Sequence, residues 1–225
     1  MRIKYTLTRS KRKTTAIHVK GGEVEVRAPL RMPKRDIDSF VESKEKWITR
    51  TLAEFSEQEA LRRGFSLGYG SLVAYRGGQY PIIAKEVNLA GFDGTCFFMP
   101  PNLTSEQIMA SCETVYRMLA KRLLTAKTLV YAAKMSVAPT NVKITGARTR
   151  WGSCSTKKSI NYSWRLLMAD DDAIDYVVVH ELAHLFEMNH STRFWKIVGS
   201  IIPDYRERKR LLKGLQKKLN TEGWI

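Results

Sequence analysis

The feature that most constrains this chain is a group of histidines around one glutamate: Val177-Val178-Val179-His180-Glu181-Leu182-Ala183-His184-Leu185-Phe186-Glu187-Met188-Asn189-His190. The chain has 4 histidines, and three of them fall in this stretch. The H-E-x-x-H spacing puts His180 and His184 on one face of a helix, where both can bind a single ion. Glu181 follows the first ligand directly, where its carboxylate can reach a water on the metal. A catalytic zinc takes three protein ligands and keeps its fourth position open. His190 is the natural third ligand, provided that the helix ends soon after His184 and the chain turns back. Asn189 tolerates the left-handed conformation that ends helices, and Ser191 can cap a new helix. A bare H-E-x-x-H also arises by chance on solvated helices. The third histidine and the apolar run Val177-Val178-Val179 argue instead for a buried site, because buried polar groups are costly unless paired or metal-bound.

The rest of the chain reads as α+β. In the first thirty residues Ile3, Tyr5 and Leu7, then Ile17 and Val19, then Val24, Val26 and Ala28 alternate with polar residues, as strands do, and Gly21-Gly22 marks a hairpin. His18 sits alone in the second of these runs and reads as structural or surface. Apolar residues from Ile37 to Phe55 fall at helical spacing and predict one helix over about 34–58. Strand character returns between Gly64 and Met99, with short strands at Tyr80–Ile83 and Val87–Leu89. Pro100-Pro101 marks a boundary, so the chain divides into a β-rich region with one helix, 1–102, and a second domain, 103–225. Thr104-Ser105-Glu106-Gln107 is a capping box. It opens a helix to about Ala133, with Ile108, Cys112, Val115, Leu119 and Leu123 on one face. Asn141–Thr145 is a short strand, and Arg148–Ser155 with Ser159–Leu166 reads as a hairpin before the histidine helix. Asp170-Asp171-Asp172 caps that helix and places charge favourably at its positive end.

Charge bounds the partners. Lys plus Arg number 38 against 22 Asp plus Glu, a net charge of +16. Such an excess favours polyanions, nucleic acid or nucleotides among them, although it also serves solubility. The basic cluster Arg9-Ser10-Lys11-Arg12-Lys13 and the final helix, with Arg206, Arg208, Lys209, Arg210, Lys213, Lys217 and Lys218, read as solvated faces or as anion-binding ones. No apolar run is long enough for a transmembrane helix. No apolar stretch follows the N-terminal charges of Met1–Thr6, as a signal peptide would require. The three cysteines, Cys96, Cys112 and Cys154, lack paired spacing, which fits a reducing compartment and a cytoplasmic protein.

From Arg148 to Tyr205 the chain carries Arg150-Trp151-Gly152-Ser153-Cys154-Ser155, Asn161, Trp164-Arg165-Leu166, the Ile174–His184 run, Asn189-His190-Ser191, Phe194-Trp195 and Pro203-Asp204-Tyr205. Here it resembles the YgjP-like metal-dependent hydrolases, a zincin-type group distantly similar to SprT-like proteases. Tyr5, Arg9–Arg12, Ala28-Pro29 and Trp47-Ile48 extend the resemblance over nearly the whole chain. It implies one catalytic metal per chain, zinc above all, held by His180, His184 and His190 with Glu181 as general base. It also implies a zincin fold whose metal helix packs on a small sheet. The strand before that helix would bind an extended substrate at its edge, so that residues from Asn161 to Trp164 line the cleft. The histidine spacing equals that of metzincins. Those proteins have glycine where this chain has Glu187, so the turn is expected at Met188-Asn189.

The chemistry expected of such a site is hydrolysis. Zinc lowers the pKa of a water to about 7, Glu181 moves its proton, and a cation or phenol stabilises the developing negative charge. Arg150, Arg165 and Tyr205 are the candidates, and Trp151 and Trp164 are either cleft walls or core. A zinc peptidase is the first reading. A nucleoside triphosphate pyrophosphatase is the second, supported by the basic excess. A nucleic-acid-associated role, as a protease of SprT type or with a purely structural metal, is the third. Nickel, cobalt or manganese could bind the same ligands.

Overall fold

The computed structural model describes residues 3–224. Met1 and Arg2, which open the stretch read above for a signal peptide, lie outside the described residues. The chain divides into two compact units, Met1–Phe65 with Thr221–Gly223, and Ser66–Asn220 with Trp224–Ile225. The division therefore falls at Phe65–Ser66, whereas the proline pair suggested about residue 102.

In the first unit β1 (Thr6–Ser10) runs parallel to the central β3 (Glu23–Pro29), and β2 (Ala16–Lys20) pairs antiparallel with its other side. Gly21 and Gly22 turn the β2–β3 hairpin with φ of +59° and +77°, the left-handed pair that suits a two-residue turn. Val24, Val26 and Ala28 point from β3 into a core completed by Ile37, Val41 and Ile48. Those last three come from two helices, α1 (Lys34–Ser43) and α2 (Glu45–Gly64), and not from one helix over 34–58. The break is at Lys44, whose N–H reaches back only to Val41 O at 3.0 Å. The change of direction at Lys44 brings Ile37 and Val41 of α1 and Ile48 of α2 onto one core. Arg9 donates to the carbonyls of Pro29, Leu30 and Met32, so this member of the basic cluster closes the unit's own chain.

The second unit contains two sheets and four long helices. β4 (Leu72–Tyr75), β5 (Gly78–Ala84), β6 (Gly91–Phe92) and β7 (Phe97–Met99) form a sheet in the order β4-β5-β7-β6. Val87–Leu89, expected as a strand, is a loop, with Leu89 80% exposed; nothing there offers alternate burial. The helix α3 (Ser105–Lys134) opens on the expected box, Thr104 accepting from Gln107 N–H while the Gln107 side chain accepts from Thr104 N–H. Its most buried positions step by four along Cys112, Tyr116, Ala120, Leu124, Thr128 and Ala132, so Leu119 and Leu123 sit one position off the stripe. Tyr116 donates to Ala74 O in β4, which ties this sheet to α3 and explains why residues 66–102 belong with the second unit.

The other sheet has the order β8-β10-β9, from β8 (Asn141–Thr145), β9 (Gly152–Cys154) and β10 (Ser159–Ser163). The strand expected to reach Leu166 stops at Ser163, and Trp164–Met168 is a 3-10 turn with all five residues buried. Next come α4 (Asp171–Ala183), α5 (Thr192–Ile201) and α6 (Tyr205–Thr221). The acidic triplet before and within α4 is fully engaged. Asp170 accepts from Ala173 N–H at 2.7 Å and caps the helix. Asp171 pairs with Arg76 at the β4–β5 turn, Lys127 of α3 pairs with Asp171 and Asp175, and Arg208 of α6 pairs with Asp172. No helix of the described residues is long and apolar enough to cross a membrane.

Candidate active site

The α4 helix is buried almost all round. Ala173, Ile174, Tyr176, Val177, Val178, Val179, Glu181, Leu182 and Ala183 are all removed from solvent, as the apolar run before His180 implied. His184 caps the C-terminus of the helix and still has helical dihedrals. The N–H groups of Phe186 and Glu187 both fold back on Ala183 O at 3.1 Å, and Ser191 N–H closes on Asn189 O at 2.8 Å. The turn uses no left-handed residue: among the described non-glycine residues only Arg76, Asn102, Ser136 and Lys158 have positive φ, and Asn189 is not one of them. Ser191 then caps α5 by accepting from Phe194 N–H at 3.3 Å. This path carries His190 back over the helix. Its Nε2 lies 3.0 Å from His180 Nε2, and one nitrogen from each of His180, His184 and His190 falls within 4.8 Å of the others.

The group fits a metal ion. Two nitrogens sharing a tetrahedral zinc at about 2.0–2.1 Å lie about 3.3 Å apart, close to the 3.0 Å between His180 and His190. The His184 Nδ1 faces Glu187 O at 3.1 Å. A carbonyl only accepts, so Nδ1 carries the proton and Nε2 presents its lone pair. The His180 Nδ1 has the Tyr176 hydroxyl 3.5 Å away. Burial, with His184, His190 and Lys209 adding to it, pushes the pKa of His180 down to about 3, and burial lowers that of His184 too. Both rings are therefore neutral at physiological pH, so that no proton competes for their lone pairs. Phe194, fully buried, lies under all three rings at centroid distances of 4.9, 4.5 and 4.8 Å from His180, His184 and His190.

Glu181 faces the strand β9. It is 5% exposed, and burial raises its pKa to about 8, opposed by Arg150. Gly152 makes room for it. A Cβ on Gly152 would stand 2.6 Å from Glu181 Oε1, 2.7 Å from its Cγ and 2.8 Å from its Cδ. Sequence reading missed this glycine, because no turn or positive φ marks it. The cleft beside Glu181 and His180 measures about 430 Å³ and is lined by Arg150, Trp151, Gly152, Lys209 and Lys213 among others.

The other residues singled out from sequence are distributed differently. Trp164 is fully buried, stacked on Tyr116 and edge-on to Trp224. Arg165 is 5% exposed and donates to Gly146 O and Trp224 O, with its guanidinium over the Trp164 ring. Both are core groups and not cleft walls. Asn161 alternates with Tyr162, whose hydroxyl meets Thr128 on α3, and so points to the other face of the sheet, where its amide donates to Ser153 Oγ. Moreover, β10 is the central strand, so the edge expected along Asn161–Trp164 belongs to β9. Tyr205 stacks on Trp195, which stacks on His190, two layers out from the histidine nitrogens. Lys209, unflagged by sequence among many basic residues of α6, lines the cleft and sits over Trp195.

The model of the family described as YgjP-like, metallopeptidase domain, matches residues 13–215. The chain belongs to the YgjP-like family. Comparison with curated proteins finds no match. Among solved structures, the YgjP-like chain is similar to the metallopeptidase zymogen of Pyrococcus abyssi abylysin. The identity is 23% and the TM-score 0.38, over 41% of this chain and 95% of that one. In this YgjP-like chain the three histidines, the buried glutamate and the glycine that admits it thus lie inside the matched metallopeptidase domain.

Proposed function

We propose that this chain is a zinc peptidase with Glu181 as its general base and His180, His184 and His190 as its metal ligands. The observation that carries the reading is the free edge of β9 beside Glu181. Ser163 N–H donates to Trp151 O and Ser155 N–H to Ser159 O, so Trp151 and Ser155 turn their backbone toward β10. Gly152 and Cys154 alternate with them and turn N–H and C=O outward, where no other described strand pairs. A polypeptide lying along that edge is held by main-chain hydrogen bonds irrespective of its sequence. A nucleotide has no matching backbone, so a triphosphate pyrophosphatase is supported by the basic charge alone.

A bound zinc would supply Lewis acidity, activating water and polarising the scissile carbonyl. Within the protein, the β9 edge places the substrate carbonyl beside Glu181. The carboxylate of Glu181 takes a proton from the attacking water and delivers it to the amine nitrogen as the C–N bond breaks. Free thiols at Cys96, Cys112 and Cys154 support a reducing, cytoplasmic setting. Nucleic-acid association rests on the +16 charge.

Metal removal tests the assignment. Stripping the protein with a chelator is expected to abolish cleavage of an unfolded protein, and one equivalent of zinc to restore it. Hydrolysis of nucleoside triphosphates, with no cleavage of unfolded protein by the zinc-loaded enzyme, would overturn the peptidase reading.

A further inference from the structure

We propose that the cleft beside Glu181 is an anion subsite that holds an Asp or Glu side chain of the substrate next to the scissile bond. Arg150, Lys209 and Lys213 would bind it, and the inference rests on the peptidase reading. These three exposed cations line the same cleft as His180 and Glu181. Glu181 is the only acid in that lining, and it lies on the catalytic side. Two other basic side chains of α6 are held in ion pairs, Arg208 with Asp172 and Asp204 and Arg210 with Glu207. Among the described residues no hydrogen bond or ion pair engages the charged groups of Arg150, Lys209 and Lys213: Arg150 acts on Glu181 and Lys209 on His180 only through their fields, and Lys209 also sits over the Trp195 ring.

Lys209 and Lys213 stand four apart on one helix face, a like-charge pairing that destabilises a helix on its own. The Gln216 amide donates to Arg148 O at 3.0 Å, which holds the Arg150 loop against α6, so the two sides of the cleft keep a fixed spacing. A carboxylate entering from the β9 edge meets cations from both sides, while a lysine there meets three like charges. The recess thus adds a charge preference to an edge that alone reads no sequence.

Binding to the zinc-loaded Glu181→Gln protein separates this subsite from catalysis. Fluorescein-labelled unstructured peptides, identical but for Glu, Ala or Lys at one central position, are titrated by anisotropy. The Glu peptide is expected to bind about tenfold more tightly than the Lys peptide, with the gap closing as salt is added. The double variant Arg150→Glu with Lys213→Glu, both at exposed positions, is expected to invert that order, which a merely structural role would not do. Equal affinities for Glu and Lys peptides, or an order untouched by charge reversal, would overturn the subsite. If ATP binds more tightly than the Glu peptide and loses that affinity on charge reversal, the acidic-peptide assignment falls and the anion is a polyphosphate. Charge-dependent binding of the Glu peptide, with no cleavage of any peptide by the wild type, supports the subsite and overturns the peptidase reading alone.

Discussion

Replacing Glu181 with glutamine is expected to slow hydrolysis by about 10²–10⁴-fold and to leave the metal content unchanged. Glutamine has the same shape, so it fills the recess over Gly152 without strain, and it cannot accept a proton. Rate on an unfolded protein and metal content, measured on the same samples, check the result; retained activity would remove Glu181 from the mechanism. The same pair of proteins carries a signature in the metal-free state. The pKa of Glu181 is raised by burial from 4.5 to about 8, so between those values the folded protein holds a proton that the unfolded chain has released. The stabilising contribution is complete below pH 4.5 and is lost as pH rises through about 8, with a slope of at most about 1.4 kcal/mol per pH unit. Metal-free wild type is therefore expected to lose stability toward pH 8 relative to the glutamine variant. Denaturant titrations across this range measure it. The comparison between the two proteins cancels the histidines, which are common to both.

Gly152→Ala is the second large effect, and it acts through the same carboxylate. The added methyl would sit 2.6 Å from Glu181 Oε1, far inside contact distance, and the three atoms nearest to it all belong to Glu181. The glutamate must move, and a misplacement of about 1 Å costs about 10²-fold in rate. The closest clashes fall on Glu181 and not on a metal ligand, so metal content is expected to stay at the wild-type level. A double-mutant cycle gives the decisive reading. If Gly152→Ala acts only by displacing Glu181, adding it to Glu181→Gln slows the enzyme no further. Full additivity would show that the glycine serves something else, such as the backbone of the β9 edge.

The histidine site was legible because its instructions are local. Four-residue spacing, an aspartate cap at Asp170 and a serine cap at Ser191 each act within one turn of helix, and each stands where the spacing placed it. Pairing order in a sheet is not local. Nothing in Asn161–Trp164 says whether that strand is central or outer, and the edge was assigned one strand away from where it lies. The same distance hides the environment of Trp164 and Arg165. An arginine near a motif reads as a ligand-binding group until Gly146 and Trp224, the latter 59 residues on, take its hydrogen bonds. Gly152 was illegible for the opposite reason: its backbone is ordinary, and only the glutamate across from it shows what a side chain would strike. The break at Lys44 brings residues of two helices onto one core, which helical periodicity does not report.

The acidic start of α4 has a consequence for the other end of the helix. Asp171, Asp172 and Asp175 are gripped by Arg76, Lys127 and Arg208, which come from a hairpin turn and two other helices. Partly exposed pairs of this kind contribute little stability one by one. Taken from three directions, however, they add to the packing of the buried side chains in fixing the rotational phase of α4 about its own axis. A slip of one residue would turn the helix by about 100° and swing His180 and His184 away from His190. The aim of the imidazoles is thus held in part from the far end of the helix, by charges that never touch the ligand nitrogens.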